Sequence, residues 1–250
     1  MKYFLLITTL FYLGACTNES KKSLPHAIEI EADSICDAYK SADSSKSFLL
    51  DLHFLKFKSN NPSIADSLNN FVMMQLMSDS VPAHTSPAIF YKKYAKAFKQ
   101  EFMELIQDTS QLFVGYENTL DIQIAYQTDK RIGLVSNGYL FTAGAHGIGS
   151  TYFANINLET GKKLSIADCF QRPESIRRKA EIAFRNNIGI EPNASLNEAG
   201  YWFDNDQFNL TENFLMKDST VEFFYNVYEI APYSNGPTGI EIPISPNELK

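Results

Sequence analysis

Four segments of the sequence alternate apolar and polar residues with a period of two. They are residues 48–54, 120–126, 221–227 and 240–244. Successive side chains of a β-strand point to opposite faces, so this alternation is typical of strands with one buried face. In the third segment it predicts that Val221, Phe223, Tyr225 and Val227 are buried together. Residues 131–142 and 151–158 are further predicted strands. A chain with this pattern must build at least one sheet that covers a core on one side.

Three other segments place apolar residues at helical spacing. We expect helices after the turn at 60–62, where Ser63 is the predicted N-cap, over residues 90–105, and from Pro173 onward. Helices and strands fall in separate groups along the chain. This grouping favours an α+β fold, with a mostly antiparallel sheet and helices packed against it.

The N-terminus has the features of an export signal. A basic start, a short apolar run and small residues before a cleavage point form a signal peptide over residues 1–15, because the run is too short to span a membrane. Leu13, Gly14, Ala15 and Cys16 resemble the lipobox of bacterial lipoproteins. That resemblance implies that Cys16 carries lipid and anchors the protein outside the cytoplasmic membrane, at the outer membrane in a Gram-negative cell. Residues 16–44 are predicted to be a tether and N-terminal segment.

Composition and charge restrict the class of partner. The chain is 44% hydrophobic with 19 Phe and 13 Tyr, which is enough to bury a core in one or two domains. Its formal charge of −7 becomes −8 once residues 1–15, with their single lysine, are removed. This charge argues against nucleic acid or an anionic bilayer as the partner and weakly favours a basic one.

Two cysteines remain when Cys16 is set aside. Cys36 and Cys169 are an even pair in a chain with an export signal, which is compatible with a disulfide. Two buried free thiols are an equally good interpretation, because cysteine is among the most buried residue types.

No catalytic or metal-binding motif stands out. The four histidines, at positions 26, 53, 84 and 146, have no Cys or acidic partner at zinc-type spacing, so we predict no metal and no cofactor. The chain has no G-x-S-x-G motif. Asp204 and Asp206 beside Trp202 fit a turn-rich loop better than a pair of glycosidase carboxylates.

His146 lies in a glycine-rich corner between two predicted strands. Gly144, Gly147 and Gly149 would allow positive φ or close backbone approach there. His146 is then either a polar contact at a ligand site or, by our preference, a structural histidine bonded to backbone groups.

Two stretches resemble a known extracellular domain. Residues 141–147 with 157–170, and residues 221–233 with 236–243, resemble the C-terminal extracellular domain of RsiV-type anti-sigma factors, which belongs to a domain family of unknown function. The preceding part, with Asn69 in its first helix, resembles the N-terminal domain of PdaC-type peptidoglycan deacetylases. We therefore expect a PdaC-like α+β domain at 45–150 and an RsiV-like one at 151–250, either as two domains or as one continuous unit. Ala143 stands where the RsiV-type domain usually has a glycine.

The resemblance implies an extracellular module. It gives no reason to expect that this chain controls a sigma factor or deacetylates peptidoglycan. We predict a non-catalytic envelope protein that binds a lysozyme-like protein or cell-wall glycan, with His146, Tyr228 and Tyr233 as candidate contacts. The alternatives are a glycan-active envelope enzyme that uses His146 with an acidic residue, and a structural subunit of an envelope assembly.

Overall fold

The computed structural model describes residues 28–76, 85–107 and 114–250. The predicted signal peptide, the predicted lipidation site Cys16, His26 and His84 lie outside these residues. The fold is α+β with a mostly antiparallel sheet, as the sequence predicts. In the described ranges, no helix combines the length and the apolar character needed to cross a membrane.

The first part of the fold is a five-stranded sheet with two helices on one face. Its strands are β1 (Ile28–Lys40), β2 (Lys46–Ser59), β3 (Val114–Gln127), β4 (Arg131–Thr142) and β5 (Ile148–Asn157), in the spatial order β1-β2-β3-β4-β5. Only the β2–β3 pairing is parallel. The helices α1 (Pro62–Met73) and α2 (Pro87–Leu105) lie between these two strands in sequence, as a parallel crossover requires.

The alternating residues of β2 build the core under these helices. Phe48 packs against two rings of α2, at centroid distances of 5.6 Å to Phe98 and 5.3 Å to Phe102. Phe54 stacks on Tyr91 at 4.1 Å. Such aromatic contacts add to the free energy of burial and fix α2 on the sheet.

The first helix has its N-cap two residues earlier than the sequence predicts. Asn61, not Ser63, is the N-cap, because its side-chain oxygen accepts a hydrogen bond from the Ser63 backbone N–H and Pro62 occupies the first helical turn.

The second part has its own core. It contains α3 (Ile166–Cys169), α4 (Pro173–Ile188) and a three-stranded antiparallel sheet of β6 (Phe214–Met216), β7 (Thr220–Tyr225) and β8 (Thr238–Pro243). The first core ends at Leu158 and the second begins at Ile166. The boundary expected at 150/151 therefore falls inside β5, because the glycine corner before β5 is a hairpin within one sheet and not a linker.

Three asparagine side chains connect the two sheets along the outer edge of β5. The Asn155 amide donates to the Phe214 carbonyl at 2.8 Å and accepts from the Met216 N–H at 3.0 Å. Asn213 accepts from the Phe153 N–H at 2.7 Å, and Asn226 accepts from the Thr151 N–H at 2.7 Å. Asn213 and Asn226 thus place side-chain amides where a sixth strand would otherwise pair with β5.

Candidate functional site

The three predicted contact residues lie together in one exposed aromatic surface. The His146 ring stacks on Tyr233 with a centroid distance of 4.1 Å and an interplanar angle of 26°. Tyr233 in turn lies 5.6 Å from the Tyr228 ring, and its hydroxyl donates to the Gly147 carbonyl at 3.0 Å. We call His146, Tyr228 and Tyr233 the aromatic ledge.

Tyr228 is held in a strained conformation at the outer end of the ledge. It follows β7 in a turn with φ of +68°, and 48% of the residue surface remains exposed. A bulky L-residue in the left-handed region costs about 1–2 kcal/mol, and such strained residues cluster at functional sites. The turn thus keeps Tyr228 exposed at the outer end of the ledge.

The contacts of His146 include a backbone bond of the kind that the structural prediction describes. Its Nδ1 donates to the carbonyl of the adjacent Gly147 at 3.1 Å, since a carbonyl oxygen can only accept. This bond orients the ring, which remains exposed. Within the described part of the chain, His146 has its polar contact with Gly147 and its ring contact with Tyr233, and neither partner is a carboxylate.

The glycine corner depends on one glycine more than on the others. A Cβ on Gly147 would lie 2.3 Å from the ring of Tyr139, whereas Gly144 and Gly149 have ordinary spacing of 3.8 Å and 3.9 Å. The positive φ belongs to Ala143, at +56°, and to none of these three glycines. Gly147 is therefore the position where the backbone approaches a side chain closely, and it joins the ledge to Tyr139.

A second group of polar side chains lies on the sheet face opposite α1 and α2. The Cys36 thiol donates to the Asp51 carboxylate at 3.0 Å, and His53 Nε2 donates to the same oxygen at 2.9 Å. The hydrogen bond to Asp51 raises the pKa of the Cys36 thiol, and the same bond lowers the pKa of Asp51. We call Cys36, Asp51 and His53 the donor cluster.

A shallow groove of about 280 Å³ begins at the donor cluster and runs across the open sheet face. Asp51, His53, Thr119, Asp121, Asn137 and Tyr139 line it. Because Tyr139 also contacts Gly147, the groove adjoins the aromatic ledge. A neighbouring groove of about 380 Å³ continues from Asn137 onto β6 and β7. The two grooves thus place carboxylate, amide and hydroxyl groups of the sheet beside the aromatic ledge.

The donor cluster was not predicted from the sequence. Asp51 and His53 share a strand face at a spacing of two, but their third partner lies 15 residues earlier on β1, in a segment without a clear alternating pattern. The sequence signal available for the groove was the polar residue at every second position of β3, namely Thr119, Asp121 and Gln123.

Of the two alternatives for the cysteines, the disulfide is wrong, because both cysteines are free, and the alternative of two buried thiols is right for Cys169 only. Cys36 belongs to the exposed donor cluster on β1, while Cys169 is buried in the second core. Burial raises the pKa of the Cys169 thiol to about 11, which keeps it protonated and unreactive.

Asp204 and Asp206 form a loop structure, in agreement with the turn interpretation. They begin and end a short 3₁₀ helix after Phe203, and Asp206 accepts a hydrogen bond from the Asn197 N–H at 2.8 Å. The Asp206 carboxylate is used to hold its own loop.

The fold and site define an α+β protein with one open, polar sheet face and an exposed aromatic ledge at its end. Residues 41–149 match the family described as "Deacetylase PdaC", and residues 167–245 match "Protein of unknown function (DUF3298)". The chain therefore contains a PdaC domain followed by a DUF3298 domain. Together these domains suggest an extracellular or envelope-associated protein.

Solved structures of the DUF3298 family have the same fold. A crystal structure of a family member from Bacteroides fragilis has a TM-score of 0.68 at 21% sequence identity, over 90% of this chain and 94% of that one. One from Pseudomonas aeruginosa has a TM-score of 0.62 at 21% identity, over 90% and 95% of the two chains. No curated protein matches the chain significantly.

Proposed function

We propose that this protein is a non-catalytic binding protein of the cell envelope, and that its ligand is a cell-wall glycan held on the aromatic ledge. The observation that carries this proposal is the exposed, strained Tyr228 beside the stacked pair of Tyr233 and His146. Aromatic rings that are fixed before binding lose little conformational entropy when a ligand packs on them.

The chemistry of the ledge and the groove suits a sugar polymer. Tyrosine combines an apolar ring face with a hydroxyl, so it can pack on a sugar ring and still bond to its hydroxyls. Beside it, Thr119, Asp121 and Asn137 offer polar groups along an elongated groove. A few directional polar groups next to an apolar surface are typical of ligand sites.

The lipid anchor at Cys16 belongs to the same proposal. A lipidated Cys16 would hold the domains outside the cytoplasmic membrane, where cell-wall glycan is the abundant polymer. Mass spectrometry of the mature protein should show a lipid on an N-terminal Cys16. An unmodified residue at another start, or a retained signal, would contradict the anchor.

A lysozyme-like protein is the second candidate ligand. The formal charge of −7 would attract a basic protein electrostatically. The resemblance of the DUF3298 part to the lysozyme-binding RsiV domain points in the same direction. Exposed tyrosines are also common among the residues that dominate protein interfaces.

Binding by the full chain to purified peptidoglycan, and separately to a basic lysozyme, tests both candidates. We expect peptidoglycan binding to weaken at least about tenfold in Tyr228→Ala and Tyr233→Ala, because each removes a ring whose stacking contributes roughly a kcal/mol or more. Tyr39→Ala is the matched control, since Tyr39 is also an exposed tyrosine but lies on β1.

The two ligands give different outcomes. Lysozyme binding that depends on Tyr228, without peptidoglycan binding, would replace the glycan with the protein ligand. If the ledge variants and Tyr39→Ala bind both ligands as wild type does, the ledge is not the binding surface.

An enzymatic role would appear in a separate assay on His146. We expect no glycan turnover by wild type or by His146→Ala, and only a small loss of stability in the variant, because the ring is exposed. Wild-type turnover that falls about a hundredfold in a fully stable His146→Ala protein would overturn the binding proposal.

A further inference from the structure

The donor cluster has the composition and spacing of a transition-metal site. Cys36, Asp51 and His53 each offer one ligand atom, and these atoms all lie within 4.8 Å of one another. We propose that they bind a divalent transition-metal ion, with Zn²⁺ as the preferred ion. This inference does not depend on the proposed glycan binding, and it departs from the sequence prediction of no metal.

The distances need little adjustment to accept zinc. Zinc bonds of roughly 2.0 Å to nitrogen or oxygen and 2.3 Å to sulfur, in tetrahedral geometry, place ligand atoms about 3.3–3.5 Å apart. The Asp51 oxygen now lies 3.0 Å from Cys36 Sγ and 2.9 Å from His53 Nε2. Small side-chain rotations would open these contacts enough to place the ion between the three atoms.

The sheet holds the three side chains in place. Cys36 on β1 is the direct cross-strand partner of Asp51 on β2, and Ser34 is the partner of His53. Side chains two residues apart on a strand share a face, so all three project from the same side of an antiparallel pair. Cys36 and His53 are exposed and Asp51 is half-buried, which leaves the site accessible to an ion from solution.

The donor set favours zinc over the common alkaline-earth ions. A thiolate and an imidazole are good ligands for Zn²⁺ and poor ones for Mg²⁺ or Ca²⁺, which prefer oxygen. Binding replaces the Cys36 thiol proton with the metal, and the proton goes to solvent, so one Zn–S bond forms as one S–H bond breaks. The proton on His53 Nε2 moves through solvent to Nδ1, so the neutral imidazole binds the ion through Nε2 with no net loss of a proton.

Three protein ligands leave a fourth tetrahedral position for water or another group. Asp51 and His53 also line the groove, and Asp121, the register partner of His53 on β3, lines it beside them. The ion would therefore lie at the end of the groove and would connect the edge strand β1 to β2.

Metal titration of the full chain tests the site, with Zn²⁺ by calorimetry and Co²⁺ by absorption spectroscopy as probes. We expect one equivalent at this site, with a thiolate-to-Co²⁺ charge-transfer band, and no competition by Mg²⁺. Cys36→Ser should abolish the charge-transfer band, and His53→Gln should weaken Zn²⁺ binding about a hundredfold or more.

Two control variants share features with the ligands but lie outside the cluster. Cys169→Ala removes the buried thiol, and Asp37→Asn removes a carboxylate that faces α2, where Asp37 pairs with Lys99 at 2.6 Å. Both should bind Zn²⁺ and Co²⁺ as wild type does. A charge-transfer band that survives in Cys36→Ser, or wild type that binds no Zn²⁺, overturns the proposal.

Protection of the thiol gives a second measurement that needs no variant. Bound Zn²⁺ should slow alkylation of Cys36 in the native wild-type protein, as read by mass spectrometry of the Cys36 peptide. Alkylation at the same rate with and without saturating Zn²⁺ would contradict coordination by Cys36.

Discussion

At the scale of single residues, one turn glycine is required by contact as well as by conformation. Gly161 has a φ of +74°, and a Cβ added there would lie 2.5 Å from the Ser63 backbone oxygen at the start of α1. Gly189, which ends α4, has a φ of +71° but nothing within 4 Å of its added Cβ. The two glycines separate the cost of backbone strain from the cost of a backbone clash.

We therefore expect Gly161→Ala to lower the free energy of unfolding by roughly 2–4 kcal/mol, the sum of left-handed strain and overpacking. Gly189→Ala should cost only about 1 kcal/mol, because it introduces strain alone. Denaturant unfolding of both variants measures the difference. Equal losses would mean that the turn moves away from α1 without cost.

Residue type singled out the three members of the aromatic ledge but not their proximity, and it did not reveal the donor cluster. Tyr228, Tyr233 and His146 are residues that stand out in a sequence near turns and glycines, and the structure brings them together. The donor cluster depends on the register of Cys36 against Asp51, which a sequence shows only when both strands are recognised. A side-chain site that crosses two strands is thus visible only after the pairing is known.

At the scale of secondary-structure elements, strands with a buried face were predictable and the edge strand was not. β2, β3 and β7 alternate because one face covers a core. β1 is exposed along most of its length and has no fully buried residue, so selection for apolar residues on one face is weak there. Val227 continues the alternation of β7 in sequence, but the strand ends at Tyr225 and Val227 lies in the following turn.

The central strand of the second sheet supplies an element-scale prediction. Phe223 is fully buried on β7, so Phe223→Ala should lower the free energy of unfolding by about 3–5 kcal/mol through cavity formation. Phe224, the next residue, points to the other face and is only partly buried, so Phe224→Ala should cost clearly less. Similar denaturation midpoints for both variants would show that the two faces contribute equally.

The C-terminal turn gives a pH-dependent prediction. Glu248 accepts hydrogen bonds from Lys179 of α4 at 2.8 Å and from the Ser245 N–H at 3.0 Å. The Lys179 ammonium and the Ser245 N–H lower the pKa of Glu248 from its usual value to about 2. A depressed carboxyl pKa stabilises the fold above the unfolded pKa, near 4.5, and this contribution disappears as the pH falls toward 2.

Glu248→Gln should therefore lower the free energy of unfolding by roughly 1–2 kcal/mol at neutral pH, the scale of a charge-assisted hydrogen bond. The difference from wild type should shrink as the pH falls from about 4.5 toward 2, where wild type also loses the charge. Unfolding curves across this range measure it. A difference that stays constant with pH would assign the loss to packing and not to charge.

At the scale of the whole molecule, polar side chains join two separate hydrophobic cores. Asn155, Asn213 and Asn226 bond the edge of β5 to β6, β7 and the turn that follows β7. Amide side chains can match the donors and acceptors of a strand edge without continuing the ladder. The pattern of apolar residues cannot reveal these asparagine bonds between the two cores. The asparagines are polar, and their partners lie about 60 to 75 positions away in the sequence.

The asparagine bonds between the two cores lead to a prediction of how the molecule unfolds. Asn155 is 1% exposed, and Asn155→Ala would leave the Phe214 carbonyl and the Met216 N–H without their partner. We expect a loss of at least about 2 kcal/mol for unpaired buried groups. Since the bonds connect the two cores, the variant should also unfold in two separated transitions, with the second core melting independently of the first.

Asn69→Ala is the matched control for this experiment. Asn69 forms the same type of amide pair, with the Phe57 N–H at 2.9 Å and the Phe57 carbonyl at 2.8 Å, but both partners belong to the first core. Its loss should lower stability while wild type and Asn69→Ala keep the same number of transitions. Differential scanning calorimetry with hydrogen exchange on the second core distinguishes the cases. If Asn155→Ala unfolds in one transition like Asn69→Ala, the apolar contacts around β5 and β6 couple the cores without the amides.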